Sequence, residues 1–158
     1  MDLSERFLNL VQQQLISFEA DAAVDQIVVY IAQSKDGGAP SLEAVGQWPS
    51  SNKVFPPVET DPDLRAPSPN RRWYPLQDGS ILLGVLRAER FLDGDEWPDS
   101  LDQRLHVTAS ILANCLGLEL ERRSLLDELS QQREQIGLMV HQLRNPLAAL
   151  RTYAQLLL

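Results

Sequence analysis

The chain has 158 residues, 44% of them hydrophobic, and a formal net charge of −8. That length suits one domain of ordinary size plus an extra element, and an acidic surface repels phosphate backbones and anionic membranes, so nucleic acid is set aside as a partner. No apolar run reaches the ~18 residues of a bilayer span, the start (MDLSERFLNLVQQQ) lacks the basic region and small-residue cleavage site of a signal peptide, and the single cysteine forms no internal disulfide, so a cytoplasmic location is expected.

The first segment reads as a helix, with Leu3, Phe7, Val11, Leu15 and Phe18 at helical spacing and Asp2 and Glu5 at capping-box spacing. Ile27 to Ala32, rich in β-branched residues, reads as a buried strand. Asp36-Gly37-Gly38 supplies turn chemistry, and Leu42 to Trp48 reads as a second strand. Six of the ten prolines fall in residues 49–69 and predict a long loop, a place where lids and binding loops occur. A hairpin follows, RRWYPLQ and SILLGVLRAER, with Asp78-Gly79 suited to a tight type I′ turn. Alternation puts Arg72, Tyr74 and Leu76 on one face of its first strand and Arg71 and Trp73 on the other. After an acidic loop from Asp93 to Asp99, Ser100 and Gln103 form a capping box that opens a long helix.

A seven-residue repeat runs down that helix. Its a positions are Leu105, Leu112, Glu119, Leu126, Arg133, Val140, Leu147 and Ala154, and its d positions are Thr108, Cys115, Arg122, Leu129, Ile136, Leu143, Leu150 and Leu157. Twelve of the sixteen are apolar, which predicts a coiled-coil-like homodimer or higher homo-oligomer. For residues 101–118, packing on the chain's own domain is an equal alternative. Charge changes along the chain too: residues 1–118 hold 17 acidic and 9 basic side chains, residues 119–158 five of each. The expected division is a first domain over 1–118, a coiled-coil linker over 119–137, and the start of a further helix over 138–158.

The stretch His141-Gln142-Leu143-Arg144-Asn145-Pro146-Leu147 resembles the H-box of two-component histidine kinases, usually His-Glu-Leu-Arg-Asn/Thr-Pro-Leu, and the likeness continues through Ala148, Ala149, Leu150 and Tyr153. His141 follows an a position and therefore sits off the seam. The resemblance implies that it is the phosphoacceptor, that phosphate passes on to an aspartate of a response regulator, and that ATP with Mg is bound by a domain beyond Leu158. Pro146 is expected to bend the helix by removing a backbone bond to Gln142. The family places Glu or Asp where Gln142 stands; an amide hydrogen-bonds but takes no proton at neutral pH. Asn145 matches the position that orders a water for phosphatase action. Gln142 also leaves room for another reading, a non-enzymatic, ligand-gated dimeric scaffold with a degenerate H-box.

The order helix, strands, proline-rich loop, hairpin and long helix resembles a GAF domain over about residues 1–120. The implied fold class is α+β: an antiparallel sheet flanked by helices, followed by a signalling helix that enters the first helix of the dimerisation and phosphotransfer domain. With the QLRNPLAALRTYAQLLL string, the chain is similar to cyanobacterial soluble sensor kinases related to chloroplast sensor kinase, a family linked to photosynthetic redox state through an iron–sulfur cluster or quinone. Cys115, a small hydrophobe on the exit helix, is then a candidate for redox sensing or a cluster ligand, although such clusters take three or four thiolates. Trp48, Trp73, Tyr74, Phe91 and Trp97 are core residues or pocket walls, with Trp73 and Tyr74 the candidates for contact with a small ligand. His106 carries no assigned role.

Overall fold

The computed structural model describes residues 3–20, 23–34, 37–91 and 96–156; from residue 144 onward it describes only the helical backbone. The chain divides into two compact units, Met1–Gly117 and Leu118–Leu158.

The first unit opens with helix α1 (Glu5–Ile16). Its cap is Ser4, whose hydroxyl accepts from the Phe7 amide at 3.1 Å. Ser4 thus satisfies an orphan amide of the first turn; Asp2, the expected cap, lies outside the described residues. Phe7, Val11 and Leu15 form the buried stripe. Four strands follow, β1 (Gln26–Gln33), β2 (Ser41–Trp48), β3 (Arg71–Asp78) and β4 (Ile81–Glu89). They form one antiparallel sheet in the order β2-β1-β4-β3.

β1 is central, and Ile27 through Ile31 are buried without alternation. A strand loses its polar-out positions only when both faces are covered, and here they are. On one face lie α1 and the first turns of helix α2 (Asp99–Leu156). On the other lies the proline-rich segment after β2, which is tied down rather than loose. The Gln47 amide donates to the carbonyls of Ser51 at 2.7 Å and Lys53 at 3.1 Å, and Arg71 donates to those of Ala66 and Asp63, both at 3.0 Å. Two short 3₁₀ turns, Val58–Thr60 and Pro62–Leu64, give the segment local structure.

Three expectations shift. Asp78 pairs with Ile81, so the hairpin's central residues are Gly79 and Ser80, one position later than expected, and Gly79 takes φ +62°. α2 begins at Asp99, which puts Ser100 inside the helix rather than at its cap. In the helix's first turns Leu101, Leu105, Thr108, Ala109, Leu112, Ala113 and Leu116 are all buried in their own unit. The first two heptads therefore serve the local core, the alternative left open by the repeat.

In the second unit the helical backbone continues past Pro146 to Leu156. The apolar repeat residues Leu126, Leu129, Ile136, Val140 and Leu143 are 52–60% exposed, since this unit has no other element to cover them among the described residues. No helix is long and apolar enough to cross a membrane among the described residues.

Candidate functional site

The two faces of the sheet have different chemistry. On the helix side Tyr74 is buried among apolar neighbours, with its hydroxyl donating to Asp102 Oδ1 at 2.7 Å. Arg72 Nη1 donates to the same oxygen at 3.0 Å, and His106 packs edge-on against the Tyr74 ring with centroids 4.8 Å apart. Burial and the hydrogen bond to Asp102 push the Tyr74 phenol well above its ordinary value. The same bond, donated by Tyr74, holds the Asp102 carboxyl below the usual range, with Arg72 and His106 adding to it. Every polar group of this cluster has a partner. It locks β3 to the start of α2.

The loop side is different. Register puts Gln47, Val28, Arg87 and Trp73 in one row across the four strands, sharing a face. Arg71 and Glu89 pair in a row of their own two residues along each strand, on that same face. Arg87 is 3% exposed, and its guanidinium lies over the rings of Tyr30 at 5.6 Å and Phe55 at 5.2 Å. Its Nη1 donates to Glu89 Oε1 at 3.3 Å, an oxygen that also accepts from Arg71 Nε at 2.8 Å. Among the described residues no acceptor meets Arg87 Nε or Nη2, and the buried Tyr30 hydroxyl has no partner. Burial pushes Tyr30 up to about 12, with the positive charge of Arg87 opposing the shift. A buried orphan donor ordinarily costs about 1–3 kcal/mol, so three on one face mark a place where stability was not the governing requirement.

The residues singled out from sequence fall in separate places. Trp73 and Tyr74, adjacent on β3, point to opposite faces: Trp73 is 40% exposed with its ring 6.3 Å from that of Tyr30, while Tyr74 belongs to the helix-side cluster. Trp97 is buried, donates to the Pro69 carbonyl at 3.2 Å and lies under the guanidinia of Arg72 and Arg90, whereas Phe91 is exposed. The five aromatics do not converge on one pocket. Cys115 is a free, half-buried thiol on α2. Among the described residues no three His, Cys, Asp or Glu side chains gather to hold a metal. His141 and Gln142 are exposed on α2, and the side chains of Asn145 and Pro146 lie outside the described residues. Sequence reasoning passed over Arg87, Glu89, Tyr30 and Phe55. The available signal was a charge inside β4: Leu86 and Ala88 flank Arg87, and Glu89 follows two residues on, the spacing that puts both on one face.

The first unit is thus an α+β domain with an antiparallel sheet between a helix layer and an ordered loop, and its last helix continues to an exposed histidine. The chain is 27% identical over 176 residues to sensor histidine kinase Hik2 of Thermosynechococcus vestitus, an alignment that covers 98% of this chain and 45% of that protein. The chain thus spans less than half the length of the curated relative it matches. In fold it is similar to a domain described as part of a two-component sensor histidine kinase of Sinorhizobium meliloti 1021, with TM-score 0.50, 12% identity, and coverage of 78% of this chain and 99% of that one. It also aligns with the GAF domain of the cyanobacteriochrome TePixJ, with TM-score 0.46, 17% identity, and coverage of 77% and 92%. No protein-family model matches. The resemblance to sensor histidine kinases read from the H-box thus extends along nearly the whole chain, and a sensory, kinase-related role is supported.

Proposed function

We propose that this chain is the sensory and dimerising portion of a cytoplasmic histidine kinase, with His141 as its phosphoacceptor. The observation that carries the reading is an exposed imidazole inside a seven-residue string that resembles the H-box, in a chain 98% of which aligns with 45% of a sensor histidine kinase. Near pH 7 much of an exposed imidazole is neutral and nucleophilic. A ring nitrogen would form the N–P bond to the γ-phosphorus while the bond to the ADP oxygen breaks and the imidazole proton passes to solvent. ATP and Mg would be supplied by a domain outside these residues. The phosphoryl group would then move to an aspartate of a response regulator. Gln142 would orient the ring through its amide, which makes proton removal depend on solvent or on the nucleotide-binding domain. Asn145 would order a water for dephosphorylation, and Pro146 would let the helix flex beside the histidine.

The exposed seam from Leu126 to Leu143 supports pairing with a second copy, because apolar residues at a and d gain burial only across a partner helix. The signal would reach the Met1–Gly117 unit as a small ligand or as a redox change at Cys115. Gln142 favours one competing reading, a ligand-gated dimeric scaffold without phosphotransfer.

The test uses the full-length protein with radiolabelled ATP. Label that survives base, is released by acid and disappears in His141→Gln supports the assignment. Label retained by His141→Gln overturns it, and a wild-type protein that dimerises but takes no label selects the scaffold.

A further inference from the structure

The buried face under the proline-rich segment supports a ligand assignment that is independent of phosphotransfer. The unpartnered atoms of Arg87 are Nε and Nη2, which lie on the same edge of the guanidinium. That edge offers two parallel N–H groups, the geometry that matches two oxygens of a planar anion. The Tyr30 hydroxyl, also unpartnered, belongs to a fully buried side chain whose ring the same guanidinium overlies. Groups among the described residues do not fill these valences. Glu89 is occupied by Arg71 and by Arg87 Nη1, and Asp61 accepts from the Asp63 amide at 3.0 Å as the cap of its 3₁₀ turn.

Space lies next door. A cavity of about 290 Å³ is lined by Gln47, Lys53, Val54 and Phe55, with Gln12 and Gly46 from the adjoining helix and strand. Its size is at the small end of ligand sites, ~300–1,000 Å³, and exceeds the room an inorganic ion needs. The Phe55 ring that lines this cavity also covers the Arg87 guanidinium at 5.2 Å, and Lys53 Nζ lies over that ring at 4.8 Å. Charge limits the class of ligand. Arg71, Arg87 and Lys53 against Glu89 and Asp61 sum to +1, so the site accepts one negative charge more readily than two.

We propose that this face binds a small organic carboxylate: its acid group takes the Nε–Nη2 edge of Arg87 and the Tyr30 hydroxyl once Phe55 swings aside, and its body occupies the cavity beside Gln47 and Lys53. Phe55 is the gate, and residues 49–69 form the wall that a bound acid would restructure. Binding here requires nothing of His141.

The experiment is titration of the 158-residue chain with pyruvate, succinate and benzoate, with benzamide and sodium sulfate as controls. The Arg87 Nε–H resonance and the melting temperature are the readouts. At least one of the three acids should shift that resonance and raise the melting temperature, while benzamide does neither. Arg87→Met should weaken binding about tenfold or more and Tyr30→Phe less, each with an unchanged circular dichroism spectrum. Because Arg87 is buried, the wild-type resonance serves as the measurement that needs no variant to fold. Phe55→Ala, which removes the gate, should speed association. The proposal is overturned if none of the acids moves the Arg87 signal at millimolar concentration, if Arg87→Met binds as the wild type does, or if sulfate matches the acids.

Discussion

Replacing Tyr74 by Phe removes one hydrogen bond and little else, which makes it a clean probe of how β3 is held to α2. The ring and its edge-on contact with His106 remain; the 2.7 Å bond to Asp102 is lost. Hydrogen bonds to a charged group contribute about 1.5–3 kcal/mol. The Asp102 side chain is 32% exposed, so water takes the place of the phenol there, and Arg72 stays on the same oxygen. The expected loss is therefore about 1–2 kcal/mol, or roughly 2–6 °C in melting temperature for a chain of this size. Asp102→Ala should cost more, about 2–3 kcal/mol, because it leaves the Tyr74 hydroxyl orphaned in a residue only 1% exposed. Urea unfolding followed by circular dichroism, with the double variant, completes the cycle. A coupling of about 1–2 kcal/mol is expected. If Asp102→Ala proves no worse than Tyr74→Phe, or the two effects simply add, the bond is not what joins strand to helix.

Acid adds an independent check. The folded state holds the Asp102 carboxyl below its ordinary value, chiefly through the Tyr74 bond. This stabilisation is present above the unfolded-state pKa and is lost as pH falls through the folded value. Wild type and Tyr74→Phe should therefore converge in stability on acidification.

Other consequences are quickly stated. A Cβ on Gly117 would lie 2.2 Å from Oδ2 of the exposed Asp78 side chain, which must turn aside, so Gly117→Ala should stabilise by less than the ~1 kcal/mol of helix propensity, and adding Asp78→Ala should recover the difference; no recovery in denaturation assays would refute the contact. Ser4→Ala should cost about 1 kcal/mol by uncapping α1, read as earlier loss of amide protection in that helix. Tyr30→Phe deletes an unpartnered buried hydroxyl and should stabilise the ligand-free chain by about 1 kcal/mol at neutral pH. With Tyr30 at about 12, stability is full below the unfolded value near 10 and falls by up to roughly 3 kcal/mol as pH rises to 12, so Tyr30→Phe should also flatten the alkaline limb of the curve.

Much of this fold is legible residue by residue. The β-branched run of β1, the turn chemistry at Gly79 and the stripe of Phe7, Val11 and Leu15 are local signals, and they place the elements to within a residue or two. The α+β class follows from their order. What sequence does not resolve is which surface an apolar seam will meet. Leu105 and Leu112 occupy the same repeat as Leu126 and Val140, yet the first pair is fully buried in its own unit and the second is more than half exposed. Nothing in a heptad distinguishes these uses; the presence of a sheet beside the first pair does. The Arg87 cluster stayed hidden for a related reason. Its members come from three strands and a loop, and only the register that places Arg87 opposite both Val28 and Trp73 brings them together.

That register also explains why one sheet carries two kinds of chemistry. Along β4, Leu86 and Ala88 turn toward the helices, while Val85, Arg87 and Glu89 turn toward the loop. On the helix side the buried Tyr74 hydroxyl has Asp102, and Asp102 has Arg72 as well. The loop side buries a guanidinium with three of its five donors, those on Nε and Nη2, unanswered among the described residues. An apolar residue of similar volume at position 87 would avoid that cost. The strand that supports the unpartnered edge is hydrogen-bonded along its length to β3, and β3 is fastened by Tyr74 to the helix that later carries His141. A change in what Arg87 meets would therefore act on a strand paired with β3, and β3 is tied to α2 within that helix's first turn.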